Sequence, residues 1–250
     1  MKNILFISPH LDDAVLSCGD YIKQISSHRN IIIVTIFTGS PLNGKVSRTA
    51  QSFHKECGFG DDAMKYRKLE DKKATKYLGA TYLHLDEPEC LYRLDDSGCF
   101  KYQDREFFTD DMHKELNYKE HLKKILLQSL SQYNPDEVYS PLGIGKHIDH
   151  VITRKCLEEI QEYLKFHLYY YEDTPYVFSN EIASESLTKK MRHDIIPIFD
   201  YEWAEKLIAV NLYESQMNIL WDSHDEKVFQ LDHISKRYLI GSRSIRIWRK

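Results

Sequence analysis

The apolar run Ile4-Leu5-Phe6-Ile7, followed at once by Ser8-Pro9-His10-Leu11-Asp12-Asp13-Ala14, constrains how the rest of the chain can fold. Consecutive apolar residues without alternation read as a strand covered on both faces. Residues 13–27, with Val15, Leu16, Ile22 and Ile25 at helical spacing, read as an amphipathic helix. Asp12 or Asp13 suits its N-cap. One imidazole and two carboxylates therefore sit on a strand-to-helix turn, at the carboxyl end of a strand, where open α/β sheets bind ligands. A second unbroken β-branched run, residues 31–37, follows the helix, and strand-helix-strand implies parallel pairing.

The same rhythm continues. Residues 62–78, 114–132 and 151–166 read as helices, and residues 81–85, 137–140 and 168–171 as short strands. Further on, residues 194–198 read as a strand, 202–221 contain a helix, and 244–248 alternate as an edge strand does. Residues 39–60 read as a Gly-, Ser- and Lys-rich loop, and residues 86–111 form a long irregular segment of the kind that is usually functional or disordered. The expected fold is α/β, a mostly parallel sheet with helices on both faces. With 42% hydrophobic residues, one domain over residues 1–250 can bury a sizeable core.

A second strand-to-helix turn, Pro141-Leu142-Gly143-Ile144-Gly145, leads into Lys146-His147-Ile148-Asp149-His150. A catalytic divalent metal takes about three protein ligands and leaves a position open, with imidazole nitrogen and carboxylate oxygen as suitable donors. His10, Asp13 and His150 supply that set, because a parallel sheet sets equivalent strand ends side by side. Asp12, a third carboxylate that is not a ligand, suits the base that deprotonates water. His147 lies three residues before His150. As an imidazolium oriented and charged by Asp149, it would stabilise an oxyanion or protonate a leaving group. A competing class is a sugar- or nucleotide-binding protein with a structural metal, which would have no use for Asp12. A dinucleotide dehydrogenase is disfavoured, since no Gly-x-Gly-x-x-Gly follows the first strand.

Composition narrows the partners. The formal net charge is -4 and no basic run exceeds Lys189-Lys190-Met191-Arg192, so nucleic acid is not expected. The N-terminus, with Lys2 and four apolar residues, makes neither a signal peptide nor a membrane span, and a cytoplasmic location is expected. The five cysteines (Cys18, Cys57, Cys90, Cys99, Cys156) are scattered and read as free thiols.

Pro9-His10-Leu11-Asp12-Asp13 together with His147-Ile148-Asp149-His150 resembles the LmbE-like (PIG-L) family of N-acetylglucosaminyl deacetylases, and the likeness spans most of the chain. Arg67-Lys68-Leu69-Glu70 with Leu78-Gly79 looks like the family's Arg-x-x-Glu helix and its ending. Pro88-Glu89-Cys90-Leu91-Tyr92-Arg93 is similar to a Pro-Asp-x-x-Tyr-Arg segment, and Tyr213-Glu214-Ser215-Gln216 to a late Tyr-x-Ser-Gln. The resemblance implies a Rossmann-like fold and a zinc-dependent hydrolase. Its substrate would be the acetamide of an N-acetylglucosamine unit in a small glycoside or glycosylated natural product, cleaved with release of acetate. It implies His10, Asp13 and His150 as zinc ligands, Asp12 as base, His147 assisting at the tetrahedral intermediate, and Arg67, Glu89 and Arg93 as sugar contacts. Leu11 stands where Pro is usual, Lys146 and Ile148 replace the Gly and Pro around the second His, and Glu89 replaces Asp. Residues 39–60, 86–111 and 172–191 are the loops expected to choose the aglycone.

Overall fold

The computed structural model describes residues 2–41, 44–58 and 63–250, and the backbone alone for residues 181–184. Gly60, the expected end of the first loop, and Asp62, the expected start of a helix, lie outside the described residues. The strands β1 (Asn3–Ser8), β2 (Asn30–Thr35), β3 (Thr81–His84), β4 (Glu137–Pro141), β5 (His167–Tyr171), β6 (Arg192–Ile198) and β7 (Arg243–Arg249) form one sheet in the order β3-β2-β1-β4-β5-β7-β6. The helices are α1 (Asp13–Ser26), α2 (Arg48–Glu56), α3 (Ala63–Tyr77), α4 (Leu116–Ser131), α5 (Ile148–Leu164), α6 (Tyr176–Ser179), α7 (Glu181–Thr188), α8 (Asp200–Asn211), α9 (Glu214–Leu220) and α10 (His224–Ser235).

The α/β architecture is the expected one. β1 pairs in parallel with β2 on one side and with β4 on the other, β2 with β3, and β4 with β5. The unbroken apolar strands are explained by two cores. Ile4 and Phe6 of β1 pack with Val15, Ala74, Trp203 and Val210 on one face, while Leu5 and Ile7 pack with Leu122, Leu126, Ile152 and Ile160 on the other. From β1 the chain proceeds outward through β2 and β3, then returns to add β4 and β5 on the opposite side. The crevice between the carboxyl ends of β1 and β4 is therefore the topological switch point, the ligand position of such sheets.

Three expectations change. Residues 39–60 are not only loop, because α2 occupies their centre with Ser47 Oγ accepting from the Ala50 N–H at 3.1 Å. Buried apolar residues on α2 are too few to show a helical stripe in the sequence. The strand at 244–248 is not an edge: β7 pairs antiparallel with β5 and with β6. The edge falls to β6, whose exposed Arg192, His193 and Asp194 and whose Pro197 suit an unpaired border. Finally, α5 starts at Ile148 and not at 151, so Asp149 and His150 stand on its first turn, while the helix expected within 202–221 is present as α8 and is followed by α9. Among the described residues no helix is long and apolar enough to cross a membrane, and all five cysteines are free.

Candidate metal centre and substrate cavity

The turn after β1 is tied by its own side chains. Ser8 Oγ donates to the His10 carbonyl at 2.6 Å and accepts from the Ala14 N–H at 3.0 Å, while Asp13 Oδ2 accepts from the His10 N–H at 2.7 Å. Leu11, fully buried, anchors the turn in the core. Asp13 opens α1, where the helix N-terminus favours a carboxylate. This folding sets His10 Nδ1 3.1 Å from Asp13 Oδ2.

The turn after β4 brings the partner. His150, on the first turn of α5, presents Nε2 3.2 Å from the same Asp13 Oδ2 without aligning to hydrogen-bond with it, and that nitrogen has no other partner among the described residues. The outer nitrogens of both rings are held by carboxylates: His10 Nε2 lies 3.0 Å from Asp149 Oδ2, and His150 Nδ1 lies 2.6 Å from Asp173 Oδ1. Imidazoles that ligate a metal almost always donate their other N–H to such an acceptor. His10, Asp13 and His150 thus have the donor set and outer support of a divalent-metal site. The ligating atoms of His10, His147 and His150 also lie within 4.8 Å of one another, as do those of Cys90, His147 and Asp149. In the second group Asp149 is already engaged on both oxygens, by Arg93 at 2.6 Å and by the Cys90 N–H at 3.0 Å.

Asp173 escaped sequence reasoning. It stands just past β5, 23 residues from His150, and its other oxygen accepts from the N–H groups of Gly143 and Ile144 at 2.8 and 2.9 Å. The available signal was its place at the end of the strand next to β4. Asp173→Asn is expected to weaken metal affinity by about ten- to a hundredfold, measured by competition with a chelator. Unchanged affinity would reduce Asp173 to a loop anchor.

Two expected pairings are not found. Asp149 does not orient His147: its carboxylate, 0% exposed, turns to His10 and Arg93, and only its backbone N–H reaches His147 Nδ1, at 3.3 Å, as part of the α5 cap. Arg93 does not lie on the cavity wall. It is buried behind Asp149, between that residue, Glu115 at 3.2 Å and the Pro88 carbonyl at 3.2 Å. Because His147 Nδ1 accepts from a backbone donor, the proton of the neutral ring belongs on Nε2.

The electrostatics follow from these contacts. Burial opposes charge on His10, yet its bonds to Asp13 and Asp149 raise its pKa well above the usual histidine value. Burial likewise works against His150, but Asp13 and Asp173 raise it to about 9, so the carboxylates favour positive charge at this point. His147 goes the other way, held well below the usual value by burial and by the charge of His10. Both influences favour the neutral ring over the expected imidazolium. Asp12 is pushed up to about 7 by burial and by the neighbouring Asp13 charge, and its carboxylate makes no hydrogen bond among the described residues. Asp149 is held far below the carboxylate range: burial opposes its ionisation, but Arg93 outweighs it.

A cavity of about 680 Å³ opens over this centre, with His10, Asp12, Asp13 and His147 in its lining. One wall carries Arg67 and Glu89, an ion pair at 2.7 Å, and the buried Arg67 Nε has no partner among the described residues. The Glu89 loop is pinned by Gly39, whose N–H donates to the Glu87 carbonyl at 2.9 Å; a Cβ there would meet the Asp86 carbonyl at 2.5 Å. The Arg-x-x-Glu helix is tied to the late Tyr-x-Ser-Gln: Glu70 accepts from the Ser215 N–H and hydroxyl at 2.9 and 2.6 Å, and Asp71 from the Tyr213 hydroxyl at 2.7 Å. Those bonds hold α9, which brings Gln216, Ile219 and Leu220 to the cavity. Phe107 and Phe108 complete the wall beside His147, their ring centroids 5.0 and 5.5 Å from its ring.

Comparison with known proteins fits this geometry. The family model described as PIG-L, GlcNAc-PI de-N-acetylase, matches residues 5–161, which carry both turns. The chain belongs to the PIG-L family. A curated relative of this PIG-L chain is the 2'-N-acetylparomamine deacetylase of Streptomyces fradiae, 19% identical over 218 residues, covering 85% of this chain and 72% of that protein. Among solved structures, the bog complex of a deacetylase from the teicoplanin biosynthesis pathway superposes with a TM-score of 0.88 at 26% identity, covering 99% of this chain and 97% of that chain. The zinc-inhibited form of teicoplanin deacetylase Orf2 gives a TM-score of 0.84 at 26% identity, with the same coverage. The matched family segment ends before Asp173, Tyr176 and Gln216, so the cavity is completed by residues outside it.

Proposed function

We propose that this chain is a zinc-dependent deacetylase that hydrolyses the acetamide of an N-acetylglucosamine unit in a glycosylated natural product, releasing acetate and the free amino sugar. The observation that carries the reading is Asp12, a buried carboxylate without a hydrogen-bond partner among the described residues, which lines the cavity with His10 and Asp13, the latter 3.2 Å from His150 Nε2. A structural metal site would have no use for it. His10, Asp13 and His150 would hold the ion, and two nitrogens with one carboxylate oxygen suit zinc with a position left open. When bound, such an ion polarises a carbonyl and acidifies water.

The residues supply the rest. Asp12 takes a proton from the attacking water, whose oxygen bonds to the acetamide carbon. His147, neutral with its proton on Nε2, donates a hydrogen bond to the carbonyl oxygen as negative charge develops there. When the C–N bond breaks, the nitrogen takes the proton that Asp12 accepted. Arg67 and Glu89 line the cavity as a donor–acceptor pair for sugar hydroxyls. A relative named for N-acetylparomamine and a structural neighbour from the teicoplanin biosynthesis pathway support a natural-product glycoside as substrate, and a cavity of about 680 Å³ has room beyond one sugar ring. Cytoplasmic action on a small-molecule substrate remains part of this reading.

A panel of N-acetylglucosaminides with different aglycones should release acetate and free amine in equal amounts. Chelation should stop release, and one equivalent of zinc per chain should restore it. A chain that binds one metal yet releases acetate from no member of the panel would favour the binding-protein reading instead.

A further inference from the structure

The cavity wall also carries a phenol that the reaction described above leaves unused. Tyr176 opens α6, immediately after the Glu172–Pro175 segment that leaves β5. That segment is firmly held. Asp173 is fixed by His150 and by the Gly143 and Ile144 N–H groups, the Thr174 N–H donates to Ser17 Oγ at 3.1 Å, and Glu172 accepts from Trp248 Nε1 at 3.1 Å and Arg246 Nε at 2.8 Å. The Tyr176 ring meets His150 edge-on with centroids 5.6 Å apart, and Phe108 at 6.0 Å. Its other contact is the second catalytic turn. Gly145, at φ +84°, lies so close that a Cβ would sit 2.8 Å from Tyr176 Cγ and Cδ1. A side chain at 145 would displace the ring; glycine lets it seat directly against the turn that delivers His147.

The ring is thus clamped between the turn, His150 and Phe108, while the residue lines the same cavity as Asp12, Asp13 and His147. Its hydroxyl has no hydrogen-bond partner among the described residues. The residue is half-buried at the cavity, so the hydroxyl's partner is left to water or to a group that enters with substrate. A clamped ring with an unengaged donor at a reaction cavity is preorganised to bind an acceptor that arrives with substrate, and the acceptor available beside His150 is the acetamide oxygen.

We propose that the Tyr176 hydroxyl is a catalytic hydrogen-bond donor that binds the carbonyl oxygen of the acetamide and, together with His147, stabilises the oxyanion of the tetrahedral intermediate. This rests on the deacetylase reading. As water oxygen bonds to carbon, the carbonyl π pair moves to oxygen, and Tyr176 holds that oxygen while keeping its own proton. On collapse the pair returns, the C–N bond breaks, and nitrogen takes the proton carried by Asp12. No net proton passes through the phenol, which is ordinarily protonated at neutral pH. Tyr176 lies beyond the matched family segment, so the role is assigned to this chain on its own geometry.

Tyr176→Phe keeps the ring against Gly145 and His150 and removes only the hydroxyl. Acetate release by wild type and variant is measured on one substrate from the panel, with metal content and Tm alongside. The expected result is a fall in kcat of about a hundredfold to a thousandfold, the loss typical of one oxyanion donor, with KM, metal content and Tm close to wild type. Affinity for a tetrahedral phosphonamidate analogue should fall in parallel with kcat/KM, while affinity for the amine product stays unchanged. A merely structural role would not split the two ligands in this way. An active wild type with a Tyr176→Phe variant of equal kcat and equal analogue affinity overturns the proposal and leaves the deacetylase reading standing. A wild type that releases no acetate overturns both.

Discussion

Asp12→Asn is expected to lower kcat by about a hundredfold to ten-thousandfold while the chain keeps one metal ion. The amide is nearly isosteric with the acid, so the tight turn, which uses the Ser8 hydroxyl and the Asp13 carboxylate and not the Asp12 side chain, should persist. What disappears is a group able to accept a proton from water and return it to nitrogen. Burial and the Asp13 charge already make Asp12 more basic than an ordinary carboxylate, the direction a general base requires. Metal analysis and steady-state kinetics on the same preparation check this. Loss of the ion together with activity would mean that Asp12 is a ligand, and its role would exchange with that of Asp13.

Arg93→Ala is expected to act on stability before it acts on substrate. Arg93 is 3% exposed and its guanidinium bridges Asp149, 0% exposed, and Glu115, 0% exposed. Removing the cation leaves buried Asp149 with only His10 and the Cys90 N–H and buried Glu115 with Lys101 at 3.5 Å, and breaking a buried pair from one side costs about 3–5 kcal/mol. For a chain of this length that corresponds to a fall in Tm of roughly 10 °C. The same change frees Asp149, which fixes the outer nitrogen of His10, so metal affinity should weaken too. Thermal unfolding of the metal-loaded protein, with KM for the best substrate, decides it. A Tm near wild type with a large rise in KM would return Arg93 to the sugar contacts that the sequence resemblance implies.

Both experiments bear on how far the sequence reached. His10, Asp12 and Asp13 were legible because they lie within four residues on one strand-to-helix turn, where local geometry already sets which side chains meet. His150 was legible through a rule of topology: β1 and β4 pair directly, and a parallel sheet aligns their carboxyl ends. Unbroken apolar strands announced a sheet covered on both faces, and the two cores are packed as that implies.

The rest depended on contacts between distant segments. Asp149 was expected to face His147 because they are neighbours in sequence, but the α5 cap uses its backbone N–H and leaves its carboxylate to Arg93, 56 residues away. The amphipathic segment at 244–248 gave its period but not its position, which was decided when the charged β6 took the exposed border. Asp173 and Tyr176 reach the site only because β5 pairs with β4, and nothing in their local spacing marks them. Periodicity and capping are written in the chain because they involve residues a turn apart. Which buried charge meets which partner is chosen by the tertiary structure, since only the assembled fold removes those groups from water and makes an unpaired one costly.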